Sequence, residues 1–172
     1  MSTAVIRKPI LFVFLTVLIV AGFGFGNPGF ADNKVVLTIT GKIATTGSDD
    51  KRDFTLEELE QLGMDSFTSE NTWLEGTHKF EGVPFRKILE TVNATGDTLY
   101  ATALNDYTVD IPIDALTDRP ALLVTRIDGE LIPVREKGPI WILYPQSDNH
   151  SEYRRAPFVN YMVWQLRFID VR

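Results

Sequence analysis

The feature that most constrains the fold is the segment Lys79–Glu90, where a glycine, a proline and an amphipathic stretch follow one another closely. Gly82 predicts a turn. Pro84 is suited to open a helix, because the N–H that proline lacks has no intrahelical partner in the first turn. The apolar residues behind it recur at helical spacing, at Phe85, Ile88, Leu89 and Val92. We therefore expect a turn followed by a helix whose apolar face packs on a sheet.

Most of the other segments are typical of short strands. Val35–Gly41 is rich in β-branched residues, and Ile140–Leu143 is apolar throughout, as in a strand covered on both faces. Tyr161–Val171 predicts a final strand, and Asp128-Gly129 predicts a hairpin turn. Thr55–Gly63 predicts a helix, because its first residues have the spacing of a capping box. Since strands and helices do not alternate regularly, we expect a mixed α+β domain.

Residues 1–31 have the features of a secretory signal peptide. A basic pair, Arg7-Lys8, precedes the twelve-residue apolar run Ile10–Ala21, which is shorter than the roughly 20 residues that a membrane-spanning helix needs. The small residues Gly29 and Ala31 fit a signal-peptidase cleavage site after Ala31. We expect cleavage and a single domain at residues 32–172, periplasmic or secreted and without stable membrane insertion. Retention as an N-terminal anchor is the alternative, and in either case the domain lies outside the cytoplasm.

The composition excludes several classes of function. After removal of the signal, 15 basic residues remain against 23 acidic ones, a net charge of −8. A domain this acidic repels phosphate backbones, so we expect no binding to nucleic acid. The chain has no cysteine, which excludes disulfide bonds and thiolate metal sites. About 140 residues are enough to form a hydrophobic core without such crosslinks.

A series of short motifs runs in a fixed order along nearly all of the segment Val35–Arg172. They are Leu37–Gly41, Phe54–Leu59, Phe80–Phe85, Ala101–Tyr107, Ile111-Pro112, Asp128–Pro133, Gly138-Pro139 and Tyr144-Pro145. No single motif is specific, but their order is similar to that of the oxidoreductase molybdopterin-binding domain, the family with the sulfite oxidase fold. The chain resembles its small, exported, single-domain members in particular. The resemblance implies an α+β fold of mixed sheets with a few short helices.

The resemblance also raises the question of the cofactor. In catalytic members of the family, a cysteine just before the tryptophan segment ligates molybdenum, and the corresponding stretch here, Thr68–Trp73, has none. The hydroxyls of Ser69 and Thr72 are far poorer donors for such a metal than a thiolate. The export signal has Arg7-Lys8 in place of the twin-arginine pair that would suit a protein exported with its cofactor. We expect no cofactor and no metal, with a molybdopterin centre as the alternative.

Candidate binding residues come from three groups of side chains. His78 and His150 could act as acids or bases, and His150 lies in a polar loop directly after a buried strand. Arginines suit carboxylate or phosphate recognition, and the resemblance places basic residues around the family's pterin pocket. It also places aromatic residues at the edge of that pocket. The predicted ligand-binding residues are Trp73, His78, Asn105, Asp106, Tyr107, Arg135, His150, Arg154 and Arg155.

Together these features predict an exported, non-catalytic protein of this fold. We expect it to bind a partner protein or a small ligand, which would be anionic if the arginines contact it. Two alternatives stay open. One is a molybdopterin-dependent oxidoreductase with a non-cysteine metal ligand. The other is an extracytoplasmic sensing subunit that docks on a membrane receptor. The sequence predicts no catalytic residue and does not specify the oligomeric state.

Overall fold

Two five-stranded sheets and a few short helices make up residues 34–44 and 51–172, the part of the chain that the computed structural model describes. The predicted signal peptide, residues 1–31, lies outside the described residues. Within the described ranges, no helix is long and apolar enough to cross a membrane. The mixture of sheets and short helices agrees with the α+β fold predicted from the sequence.

The first sheet brings together strands from both ends of the chain. Its strands are β1 (Val35–Gly41), β2 (Lys51–Thr55), β5 (Thr98–Ala103), β6 (Thr108–Pro112) and β10 (Leu166–Val171). The order across the sheet is β2-β1-β10-β5-β6, so the last strand of the chain lies in the middle. β1 and β10 pair in parallel, whereas the other neighbours are antiparallel. Every second side chain of β5 is buried, as expected for a strand with one face on the core.

The second sheet is formed by the middle of the chain. Its strands are β3 (Asp65–Asn71), β4 (Leu74–Pro84), β7 (Leu122–Ile127), β8 (Glu130–Leu131) and β9 (Trp141–Leu143). All pairings are antiparallel; the order is β3-β4-β7-β8, and β9 also pairs with β7. The predicted hairpin turn Asp128-Gly129 joins β7 and β8, with positive φ angles of 53° and 87°. All three residues of β9 are buried, as predicted for a strand covered on both faces.

The helices are short. They are α1 (Leu56–Gln61), α2 (Phe85–Thr91), α3 (Ile113–Thr117) and α4 (Phe158–Tyr161), with 3₁₀ turns at Val134–Glu136 and Asp148–Arg154. The predicted capping box forms at α1: Thr55 Oγ1 accepts the N–H of Glu58, and the Glu58 carboxylate accepts the N–H of Thr55. The helix predicted after Pro84 is α2, and its apolar face is buried as expected, at Phe85, Ile88, Leu89 and Val92.

Gly82 does not form the turn that the sequence predicts. β4 continues through it as far as Pro84 and pairs with β7, with a register shift at this point. A Cβ atom at Gly82 would lie 2.2 Å from the carbonyl oxygen of Leu123 and 2.5 Å from Cα of Val124. The turn prediction is wrong because glycine is needed here for the close approach of two backbones rather than for a reversal.

The predicted final strand, Tyr161–Val171, is shorter in the structure. α4 occupies its first residue, and β10 begins only at Leu166. Between them Trp164 makes an isolated bridge to Trp141, and Gln165 adopts a positive φ of 51°. A residue in the left-handed region interrupts the extended backbone, so the strand cannot start earlier.

One continuous core joins the two sheets. Residues of β1, β5 and β10 pack with residues of β4, β7 and β9 and with the buried face of α2. The largest of these fully buried side chains are Trp141, Tyr144, Phe54, Phe80 and Phe85. Burial of each large apolar side chain contributes about 1.5–3 kcal/mol relative to exposure. The same apolar contacts therefore hold both sheets.

Candidate functional site

An open cleft of about 260 Å³ lies where β5 ends and β10 begins. Its walls come from the β5–β6 turn, from α4 with the segment that leads into β10, and from the tryptophan between β3 and β4. The lining residues are Trp73, Ala103, Asn105, Tyr107, Val159, Asn160, Met162, Val163 and Trp164. The cleft thus collects side chains from three parts of the chain that are distant in sequence.

The three tryptophans of the chain form one cluster beside this cleft. The ring centroid of Trp73 lies 5.8 Å from that of Trp141 and 5.7 Å from that of Trp164, and Trp141 lies 6.4 Å from Trp164. Trp141 is fully buried, and its indole N–H donates to the carbonyl of Met162 at 3.4 Å. Trp73 and Trp164 are half-buried and line the cleft. The buried ring therefore supports the two rings that a ligand would contact.

The amide side chains in the lining of the cleft belong to Asn105 and Asn160. The side-chain oxygen of Asn105 accepts the backbone N–H of Tyr107 at 3.2 Å, which orients the amide and leaves its NH₂ group to donate to a ligand. Asn160 is an exposed residue of α4. Among the described residues that line the cleft, none carries a charge. The site offers aromatic faces and neutral hydrogen-bonding groups.

Part of the predicted set of binding residues meets at this cleft. Its members there are Trp73, Asn105 and Tyr107. Asp106 belongs to the same turn, where it has a positive φ of 64° and an exposed side chain. The predicted set of binding residues did not include Asn160 and Trp164, which also line the cleft. No local pattern marks these two, because their neighbours in the cleft are far away in the chain.

His78 lies in β4, outside the cleft. Its Nδ1 is 2.7 Å from a carboxylate oxygen of Asp128, and its Nε2 is 2.9 Å from the carbonyl oxygen of Glu75. Both neighbours are acceptors, so the ring satisfies both only as the doubly protonated imidazolium. Accordingly, the hydrogen bond to Asp128 and then the Glu75 carbonyl raise the pKa of His78, and the bond from His78 lowers the pKa of Asp128. The arrangement ties β4 to the β7–β8 turn.

The predicted arginines do not line the cleft. The side chain of Arg135 is 84% exposed and its Nε lies 3.2 Å from the carboxylate of Glu136. Arg154 donates from Nη2 to the carboxylate of Glu70 at 2.8 Å. Arg155 is exposed. These cations therefore do not form a common anion-binding group with Trp73, Asn105 and Tyr107.

His150 lies in a wider depression of about 630 Å³. Its Nδ1 is 3.0 Å from the hydroxyl oxygen of Ser147, and its ring stacks on Tyr153 with centroids 6.1 Å apart. The walls of the depression mix basic with acidic side chains, namely Arg86, Lys87 and Arg119 with Asp65 and Glu90. Because these charges largely cancel, the depression does not select anions strongly.

A polar network around the buried residues Ser69 and Gln146, which we call the latch, occupies the stretch before Trp73. It consists of Ser69, Thr72, Gln146 and the backbone of Tyr153. Ser69 Oγ accepts the backbone N–H of Gln146 at 2.6 Å and donates to the carbonyl of Glu70 at 2.5 Å. The Gln146 side-chain oxygen accepts the N–H and the hydroxyl of Thr72 at 2.7 and 3.1 Å, and its NH₂ group donates to the Tyr153 carbonyl at 2.9 Å. The latch thus joins the end of β3 to the loop after β9.

Residues 33–147 match the family model described as oxidoreductase molybdopterin binding domain. The chain belongs to this family. Among solved structures, the chain is similar to the sulfane dehydrogenase SoxCD from Paracoccus pantotrophus, with 18% sequence identity and a TM-score of 0.60. The similarity covers 83% of this chain but only 39% of the SoxCD chain, and at this identity it shows the fold alone. No curated protein matches the sequence.

The donor atoms of this family member do not fit a molybdenum centre held by thiolate. The chain has no cysteine, and the hydroxyls of Ser69 and Thr72 are both hydrogen-bonded within the latch. In the part of the chain that the structure describes, histidine, aspartate and glutamate do not gather in any group of three that could hold a metal. Soft thiolate donors suit this metal, whereas neutral hydroxyls that already serve the protein do not. The donor set of this stretch therefore does not fit a thiolate-held molybdenum.

Proposed function

We propose that this chain is an exported, non-catalytic member of the oxidoreductase molybdopterin-binding domain family that binds a small uncharged molecule in the cleft. The observation that carries the proposal is the latch. It lies in the stretch that corresponds to the metal-binding segment of catalytic members, and it uses both hydroxyls there for structural hydrogen bonds.

A change of role for Ser69 would cost stability. Ser69 is 2% exposed, and as a metal ligand its oxygen could no longer serve the N–H of Gln146 in the same way. A buried donor that loses its acceptor costs about 1–3 kcal/mol. A neutral hydroxyl would recover little of that free energy from a soft metal. The latch therefore supports a structural role for the stretch.

The cleft supports a binding role for the domain. Its described lining includes two tryptophans, a tyrosine and the amide side chains of two asparagines. Drug-sized ligands occupy pockets of about 300–1,000 Å³, so a cleft of about 260 Å³ suits a smaller molecule with one ring. The net charge of −6 and the absence of cations from the described lining disfavour an anion. A neutral molecule with a flat face and hydrogen-bonding edges matches these properties best.

Metal analysis tests the non-catalytic part of the proposal. The protein is purified from its native compartment beside a cysteine-containing member of the family, which serves as the positive control. We expect molybdenum and pterin fluorescence in the control and background values in this protein. Stoichiometric molybdenum would instead favour an oxidoreductase with a non-cysteine ligand and would overturn the proposal.

Tryptophan fluorescence tests the cleft, because Trp73 and Trp164 both line it. Titration with small neutral sugars and heteroaromatic compounds is expected to find a molecule that changes the emission. The Asn160→Ala variant should then bind it about fivefold more weakly, the effect of one lost hydrogen bond. Asn149→Ala removes an exposed amide that does not line the cleft and is the matched control. Equal losses in the two variants would place the ligand elsewhere.

The mass of the protein recovered from its native compartment tests export. We expect a chain that begins at Asp32, as the cleavage site after Ala31 predicts. Recovery of the chain with residues 1–31 from the membrane fraction would support the anchored form. Recovery of that longer chain from the cytoplasm would contradict export altogether.

A further inference from the structure

A second groove, of about 270 Å³, shares no lining residue with the cleft and combines exposed apolar residues with basic ones. We call it the basic groove; its lining residues are Lys34, Val35, Val36, Leu104, Val134, Pro139, Leu166 and Arg167. Val35, Leu104 and Val134 are 46%, 41% and 39% exposed. Large apolar side chains with this exposure are few among the described residues, and half of them lie here. Such a concentration marks a surface that meets an apolar partner.

The charges around this groove have the opposite sign to the protein as a whole. Lys34 and Arg167 line it, and neither forms an ion pair with another residue of the described ranges. Arg135 follows Val134 directly, and its exposed side chain is accompanied by that of Glu136. The whole chain carries a net charge of −6. A local excess of positive charge on an acidic protein attracts an anionic surface to this place and repels it elsewhere.

The position of the groove in the chain indicates what that surface is. Lys34 and Val35, at the start of β1, are where the described chain begins and are also part of the groove. The apolar run Ile10–Ala21 precedes Lys34 by only twelve intervening residues. A bilayer that holds this run, during export or as an anchor, therefore lies within reach of the groove. No other cleft described above contains a residue so near to the run.

We infer that the basic groove docks the domain onto an anionic lipid bilayer. The valines and the leucine enter the headgroup region, and the basic side chains contact the lipid phosphates. Apolar contact and electrostatic attraction together give the reversible binding of peripheral proteins. The groove and the cleft have no lining residue in common, and the inference does not rest on the ligand proposed for the cleft. Such docking would hold the domain at the membrane surface even after removal of residues 1–31.

Vesicle flotation with residues 32–172, the predicted mature domain, tests the inference, since this range contains both sheets and the core described above. Omission of the apolar run prevents it from binding lipid itself. We expect the domain to float with phosphatidylcholine vesicles that contain phosphatidylglycerol, to stay unbound with pure phosphatidylcholine, and to dissociate in high salt. Failure to bind the anionic vesicles would overturn the inference.

Matched variants show whether binding uses this groove. Lys34→Gln should weaken binding roughly fivefold, and Lys34→Gln with Arg167→Gln by the square of that factor. Lys42→Gln is the control, because Lys42 is an exposed lysine at the opposite end of β1, about 25 Å away. For the apolar contacts, Val134→Ser is compared with Met64→Ser, an exposed residue outside the groove. Equal losses in variant and control would contradict the assignment to the groove.

Discussion

Two residues that face each other in the β3–β4 hairpin each form hydrogen bonds to another part of the fold. Ser69 of β3 lies opposite His78 of β4 in the strand register. Ser69 is buried and binds the loop after β9 through the latch, whereas His78 binds the β7–β8 turn with a side chain that is 27% exposed. Hydrogen-bonding groups lose much more when water cannot replace a missing partner. The hydrogen bonds of Ser69 are therefore expected to contribute much more to the free energy of unfolding than those of His78.

The largest effect is expected for Gln146→Ala, at the centre of the latch. The substitution leaves the N–H of Thr72 and the carbonyl of Tyr153 without their partner and opens a cavity at a residue that is 1% exposed. We expect a loss of about 3–5 kcal/mol in the free energy of unfolding, measured by denaturant titration. Gln146→Leu fills most of the cavity but restores no hydrogen bond. A Leu variant as stable as the unaltered protein would show that packing, not hydrogen bonding, holds the latch.

Ser69→Ala is expected to have the next largest effect. The N–H of Gln146 loses its acceptor and the Glu70 carbonyl loses its donor, so the free energy of unfolding should fall by about 1–3 kcal/mol. Ser69→Cys sharpens the comparison, because a thiol is a weak acceptor of hydrogen bonds. We expect this variant to be destabilised as well. A Cys variant that gains stability on addition of molybdate would contradict the structural role proposed for the stretch.

Glu70→Gln tests an exposed ion pair beside the latch. Glu70 contacts Arg154 through a side chain that is largely exposed. Surface ion pairs of this kind contribute about 0–1 kcal/mol, so the unfolding free energy should change little. Arg154 also donates to the Gln146 carbonyl and keeps that bond in the variant. A loss of unfolding free energy as large as that of Ser69→Ala would mean that exposed and buried contacts contribute equally here.

The smallest effect, and one that depends on pH, is expected for His78→Gln. The pKa of His78 is raised above its ordinary value of 6.5, so its stabilisation is complete below pH 6.5 and is lost as the pH rises through the folded value. The pKa of Asp128 is lowered from 3.8, so its contribution is present above pH 3.8 and is lost on further acidification. Thermal unfolding of the variant and of the unaltered protein should therefore differ most between these two pH values and converge at alkaline pH.

Asp128→Asn is the matched control for that pH dependence. Asparagine suits the left-handed turn position and can still accept the N–H of Lys79, but it has no charge. It should remove the same pH dependence as His78→Gln, and the double variant should show no further change. A pH dependence that survives in Asp128→Asn would assign it to another group.

Local features of the fold could be predicted from the sequence, since their causes are local. The capping box of Thr55 and Glu58, the apolar face of α2 and the Asp128-Gly129 turn all formed as expected. Gly82 misled the prediction, because a glycine that admits a neighbouring backbone looks the same in sequence as one that turns the chain. The distinction depends on Leu123, which comes 41 residues later.

The candidate site was less accessible to sequence reasoning. Aromatic side chains at Trp73 and Tyr107 could be singled out, but their convergence with Asn160 depends on how the chain returns after β9. The latch could not be predicted from the sequence, because Ser69 and Gln146 are 77 residues apart and each is an ordinary polar residue in its own segment. Their role arises only when tertiary packing removes water from both.

The central place of β10 in the first sheet has a consequence for the order of assembly. Its neighbours are β1, with which it runs parallel, and β5, and Asp170 also accepts the hydroxyl of Thr40 across 130 residues of sequence. A chain that is synthesised from its amino end delivers β10 after all the other strands described above. Until then the sheet has two halves with nothing between them, and contacts of such long range close slowly. The first sheet therefore cannot close before β10 has emerged, even if the strands of the second sheet have already paired.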